Sequence, residues 1–203
     1  GDGDSGDGDS GDGDGDGDSG DGDGDGETVI YSLHDERCDA EIRGSLSLSN
    51  HMILTCDVVH ATYGGIVSLG EESVEGQDFT NALSLQPPAQ SGIGVMVRGR
   101  WDNISLAGTN APLFRTRTGC GPGANCSVHL TGYVYAAGEC GGTPIATIPV
   151  TTPEENDGSV DVVDLDLTGQ VGQSICIQFT ASPGAAAASD DELILDNPRI
   201  VEG

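Results

Sequence analysis

Lysine is absent from this chain: its cationic side chains are seven arginines, set against 34 acidic residues for a formal net charge of −27. Such a chain has no broad basic field, which excludes general binding to nucleic acid or to anionic membrane surfaces. Aromatic side chains are scarce too, with one Trp, four Tyr and three Phe. No run approaches the roughly 18 apolar residues of a membrane-spanning helix, and no signal peptide is visible; a soluble, already processed chain is expected. Helix signals are nearly missing, because the Ala185 to Ala188 run sits between Pro183-Gly184 and Ser189-Asp190 and reads as a loop. Catalytic signatures are missing as well. His34, His51, His60 and His129 are scattered, with no H-E-x-x-H, no G-x-S-x-G and no Gly-rich turn opening a helix. Asp35-Glu36 and Glu154-Glu155 are neighbours that point to opposite faces of a strand, so neither is a local acid and base pair. A protein without enzymatic activity is expected.

What the chain has in excess is Asp and Gly at its start. Residues 1–26 contain only Asp, Gly and Ser, with eleven Asp and no cation. This composition has nothing apolar to bury and reads as a self-repelling extended tail. In an extended chain alternate carboxylates stand roughly 6 to 7 Å apart, inside the screening length of roughly 8 Å at physiological salt. A divalent cation or an arginine-lined groove would offset that repulsion. Asp12, Asp14 and Asp16, and again Asp21, Asp23 and Asp25, match the opening D-x-D-x-D-G of a calcium loop. The twelfth positions are Asp23 and Ser32 rather than Glu, and no helix flanks either run. Loose calcium binding by these six Asp, or a merely solvated spacer, follows.

Residues 27–203 suffice for one domain with its own core. Their six cysteines form no C-x-x-C pair, which speaks against zinc ribbons, redox motifs and haem attachment. Disulfides between sequence neighbours are expected, Cys38 with Cys56, Cys120 with Cys126, and Cys140 with Cys176, each stapling adjacent strands and loops. Such bonds place the protein outside the reducing cytosol, secreted or on a cell surface. Asn103-Ile104-Ser105 and Asn125-Cys126-Ser127 are possible N-glycosylation sites.

Alternating apolar residues recur in short runs between Gly, Pro, Asn and Asp clusters. Leu46 and Leu48 alternate with Ser; Leu54, Cys56 and Val58 follow; Ile93, Val95 and Val97 oppose Met96, Arg98 and Arg100. Val128, Leu130, Gly132 and Val134 oppose His129, Thr131, Tyr133 and Tyr135, and later runs centre on Val163 to Leu167, Ile175 to Phe179, and Leu193 to Leu195. About eight to ten strands result, the pattern of an all-β, antiparallel, jelly-roll-like sandwich preceded by the extended tail.

The close of the chain carries a resemblance. Ser174-Ile175-Cys176-Ile177-Gln178-Phe179-Thr180, followed by Leu193-Ile194-Leu195-Asp196-Asn197-Pro198-Arg199-Ile200, resembles the last two strands of jelly-roll carbohydrate-binding modules and other galactose-binding-like domains. Those often end in L-D-N-x-R-[IV], and in many of them an Asp at this point helps hold a structural calcium. The resemblance implies Asp196 as a calcium ligand, with Glu27 or Glu41 near the first strand as its partner. It also implies a sugar-stacking platform, for which Trp101, Tyr133 and Tyr135 are the available set. Buried core is the competing fate of Trp101.

Four of the seven arginines fall in two short strands, Arg98 with Arg100 and Arg115 with Arg117. Each pair shares a face, and pairing of the two strands would assemble all four into a strip. Ion pairs with nearby acids such as Asp102 are one use for them; docking of a neighbouring subunit's Asp-Gly tail is another. A tail bound in trans makes a heterologous contact that grows into a polymer. The leading expectation is therefore a non-catalytic extracellular structural subunit that polymerises with copies of itself through its tail, assisted by calcium. The alternative is a secreted carbohydrate-binding module, its partner a polysaccharide, on an acidic linker.

Overall fold

The structure, a computed structural model, describes residues 27–90, 92–122, 126–184 and 191–203. The tail residues Asp12, Asp14, Asp16, Asp21, Asp23 and Asp25, the sequon residue Asn125 and the Ala185 to Ala188 run lie outside them.

Two-residue periodicity buries one side of each strand. In β6 (Val95–Ser105) the side chains of Val95, Val97 and Trp101 are buried, while Met96, Arg98 and Arg100 between them stay part-exposed. The same alternation shapes β8 (Ser127–Ala136) and β11 (Asp161–Asp166), whereas β12 (Ser174–Pro183) and β13 (Leu193–Glu202), each with strands on both sides, are buried along most of their length. With β1 (Thr28–Ser32), β2 (Glu41–Leu46), β3 (His51–Ile53), β4 (Gly65–Val74), β5 (Gln77–Gln86), β7 (Pro112–Cys120), β9 (Ala146–Ile148) and β10 (Glu154–Glu155), they build two antiparallel sheets. The six-stranded sheet runs β11-β7-β13-β5-β4, with β1 paired to the second half of β13. The seven-stranded sheet runs β10-β8-β12-β6-β2-β3, with β9 also paired to β8. The molecule is an all-β sandwich. The strands outside the runs picked out in the sequence include the two- or three-residue edge pieces β3, β9 and β10 and the ten-residue hairpin strands β4 and β5. The Leu54 to Val58 run is not a strand: Asp57 adopts a φ of 56°, which extended backbone does not accommodate. Ile93 lies before β6 and is exposed.

Between the sheets, Trp101, Phe114 and Phe179 are buried with aliphatic residues from both, Phe114 and Phe179 having ring centroids 5.8 Å apart. Phe179 is flanked across the sheet by Gly99 and Gly132. A Cβ on Gly99 would lie 2.7 Å from the Trp101 ring and 2.8 Å from Ile66, so the missing side chain is what admits the indole. Three disulfides, Cys38–Cys56, Cys120–Cys126 and Cys140–Cys176, close the frame. The last ties the connection between β8 and β9 to β12.

Candidate functional site

The polar side of β6, β12, β8 and β2 is the outer face of the seven-stranded sheet. Strand register lines its side chains into rows across the sheet. Glu41, Arg100, Gln178 and Tyr133 form one row; Arg43, Arg98, Thr180 and Thr131 form the next. In the first row Arg100 Nε donates to Gln178 Oε1 at 2.7 Å and its Nη1 reaches Glu41 Oε1 at 3.4 Å, while Arg43 Nη2 donates to Glu41 Oε2 at 2.9 Å. The hydrogen bond from Arg43 and the nearby arginine charges hold the Glu41 carboxyl below its usual value against the effect of burial. Glu41 is thus an ion-pair partner of two arginines. Arg98 has no hydrogen bond or ion pair among the described residues, and its Nε is buried without an acceptor. Burial first, then the charges of Arg100 and Arg43, pull its guanidinium below the usual arginine value.

Tyr133 and Tyr135 stand side by side on this face, with ring centroids 6.1 Å apart. Tyr133 is part-exposed and Tyr135 is buried, so the sugar-stacking set expected from the sequence shrinks to Tyr133. Trp101 leaves that set altogether: it points into the core, and its Nε1 donates to the Leu33 carbonyl at 3.1 Å.

The expected four-arginine strip does not form. β6 and β7 belong to opposite sheets, so Arg98 and Arg100 face outward on one side of the sandwich and Arg115 and Arg117 on the other. A sequence shows that each pair shares a strand face, but not which sheet the strand joins. Arg115 pairs with Glu27 and with Asp164 at 2.9 Å. Arg117 pairs with Asp196, donates to the Asp78 carbonyl at 2.7 Å and lies 4.8 Å over the Phe79 ring. Asp102 accepts from the backbone N–H of Asn103 and Gly138 rather than from an arginine.

The same contacts correct the calcium assignment for Asp196 and Glu27. Asp196 accepts from Arg117 and from the Thr80 N–H at 2.7 Å, and Glu27 is held by Arg115 and by Arg199 at 3.2 Å. Guanidinium groups already occupy the positions a cation would need, and their charge repels one; these residues do not fit calcium. The two described clusters with metal-like spacing, Cys38, Cys56 and Asp57, and Asp102, Cys140 and Cys176, depend on sulfurs locked in disulfides. Asn103 is exposed, with a φ of 60°.

One constellation escaped the sequence. His34 Nδ1 lies 3.0 Å from Asp35 Oδ1 and Nε2 lies 2.8 Å from Ser68 Oγ, a Ser-His-Asp line. The Ser68 N–H, the natural oxyanion donor of such a site, is taken by Asp57 Oδ1 at 2.8 Å. A carboxylate where negative charge would have to develop is the reverse of transition-state stabilisation. Arg43 and Gln178 escaped as well. Their only signal was the Glu-x-Arg and Ile-Gln-Phe alternation, which says nothing of the strand beside them.

No protein-family model matches the chain, and no curated protein does. Among solved structures, the chain is similar to tandem CBM51 modules of a family 98 glycoside hydrolase from Streptococcus pneumoniae, at 15% identity and a TM-score of 0.40 over 66% of this chain and 36% of that one. It is also similar to a CBM51 of Clostridium perfringens GH95 solved with methyl-galactose, at 13% identity and a TM-score of 0.40 over 69% of this chain and 83% of that one. A third, CBM51-2 with INT domains from Clostridium perfringens ZmpB, solved with GlcNAc, gives 13% identity and a TM-score of 0.40, covering 71% of this chain and 27% of that one. The chain thus spans about a third of the first of these structures and about a quarter of the third. Matches this loose transfer no ligand-contacting residue to this chain.

Proposed function

We propose that residues 27–203 form a non-catalytic carbohydrate-binding module of a secreted or surface-displayed protein, and that it binds glycan across the outer face of the seven-stranded sheet. The observation that carries this reading is the pair of polar rows, Glu41-Arg100-Gln178-Tyr133 and Arg43-Arg98-Thr180-Thr131, spanning four strands. Neighbouring strands lie about 4.8 Å apart, so the rows set donors and acceptors at regular intervals across the sheet, with Gln178 itself buried and holding Arg100 in place. Sugar hydroxyls need such groups, and the C–H face of a pyranose packs against an aromatic ring such as that of Tyr133. Three disulfides fit an oxidising compartment, and among the described residues no helix is long and apolar enough to cross a membrane.

Affinity electrophoresis through gels containing single polysaccharides tests the reading. At least one polysaccharide should retard the full chain, and Tyr133→Ala should weaken that retardation about tenfold, the value of one stacking contact. Equal mobility in every gel overturns the proposal. The polymerising-subunit reading has lost its receiving strip, because Arg115 and Arg117 lie on the opposite sheet with partners of their own. Long polymers in negative stain that a chelator disperses would favour it again.

A further inference from the structure

Six of the seven arginines have a carboxylate within ion-pair distance: Arg37 with Asp57, Arg43 and Arg100 with Glu41, Arg115 and Arg199 with Glu27, and Arg117 with Asp196. Arg98 has none among the described residues. This is unexpected in a chain with 34 acidic residues, where a vacant guanidinium would readily find a neighbour. It is also placed where its charge is hardest to keep. Arg43 lies directly opposite on β2, Arg100 lies two positions along the same face, and the Nε atoms of both Arg98 and Arg43 are buried without acceptors. Like charges side by side and a half-buried unpaired cation are each unfavourable, and one anion between Arg98 and Arg43 would relieve both. There is room for it. A cleft of about 250 Å³ opens at this point, lined by Arg43, Ser45, Leu48, His51, Met96 and Arg98. Leu48 is 81% exposed there and with Met96 offers an apolar wall beside the two guanidiniums.

We propose that this cleft is the anion subsite of the glycan-binding face, where Arg98 and Arg43 receive the carboxylate of a uronic-acid residue while Leu48 and Met96 pack against its ring. The inference rests on the carbohydrate reading above and names its substrate class. A planar carboxylate takes two parallel N–H donors from a guanidinium fork, and a pyranose ring supplies the apolar face that the wall requires. The next residues of an acidic chain then run over Thr180 and Thr131 towards Tyr133.

The test uses the full chain in gels of polygalacturonate, its methyl ester, a sulfated galactan and a neutral galactan. Polygalacturonate should retard the protein at least about tenfold more strongly than the ester, the value of a charge-assisted hydrogen-bond pair. Arg98→Gln and Arg43→Gln should each abolish most of that difference with their melting midpoints checked, and Arg37→Gln, in a separate ion pair, should not. Equal binding to the ester, or binding to neutral galactan alone, overturns the acidic subsite and leaves the carbohydrate module standing. Binding to sulfated galactan without polygalacturonate overturns the carboxylate assignment. No retardation in any gel overturns the module itself, and with it this subsite. The ester comparison needs no variant, so a misfolded Arg98→Gln does not remove the test.

Discussion

Glu154 is the carboxyl in the least favourable surroundings. It is 3% exposed, and neither its Oε2 nor the buried Glu75 Oε2 finds a donor among the described residues. Burial first, then the charges of Asp161, Glu75 and Asp157, push its pKa up to about 7. The folded protein therefore holds this proton more tightly than the unfolded chain does. The contribution to stability is complete below the ordinary value of 4.5 and is lost as the pH rises from there through about 7. Glu154→Gln keeps the shape and removes the charge. Urea denaturation should find the variant more stable than the parent at pH 8, by up to roughly 3 kcal/mol, with the difference vanishing near pH 4. Parallel stability profiles for the two proteins across that range would contradict it. The sequence showed Glu154-Glu155 only as adjacent acids; the burial comes from β10 pairing with β8 against the end of β7.

At the scale of elements, some long strands were legible and others were not: β4 and β5, ten residues each, match none of the alternating runs picked out in the sequence. β6, β8 and β12 stand out in the sequence because one side of each carries no charged or bulky polar residue, and β13 shows only as the short Leu193 to Leu195 run before its bulge. β3, β9 and β10 are too short for any period, and exist only because longer strands offer them an edge. The register also explains two glycines within strands, a residue type that weakens strands elsewhere. Gly99 and Gly132 flank Phe179, and the space they leave is filled by Trp101, Ile66 and Ile148. Gly99→Ala should destabilise the fold by about 1 to 3 kcal/mol, the usual effect of overpacking. Gly70→Ala in β4 is the control: nothing lies within 4 Å of its added carbon, and its denaturation midpoint should stay level or rise slightly. If both variants melt alike, the packing argument around Trp101 fails.

For the whole molecule, charge sets opposing demands. The net charge of −27 repels any acidic polymer at long range, whereas Arg98 and Arg43 attract its carboxylate at contact. The screening length falls from about 30 Å at 10 mM salt to about 10 Å at 100 mM. Added salt over that range should weaken the diffuse repulsion more than the half-buried contact. The association rate for polygalacturonate, followed by stopped flow or surface binding, should therefore rise between those concentrations, opposite to the usual behaviour of complementary charges. A rate that falls steadily from the lowest salt would show that the local arginines, not the net charge, control the approach.

Sequence alone determined the all-β class, the acidic character, the two arginine pairs and the alternation that turns Arg98, Gln178 and Tyr133 away from the core. Those are local properties, written in side-chain chemistry and a period of two. Only the tertiary structure decided that Arg98 and Arg100 part company with Arg115 and Arg117, that Trp101 is buried, and that Asp196 and Glu27 answer to arginines. Each depends on which strand lies beside which, and that is settled by pairing between residues far apart in the chain, where no local period reaches.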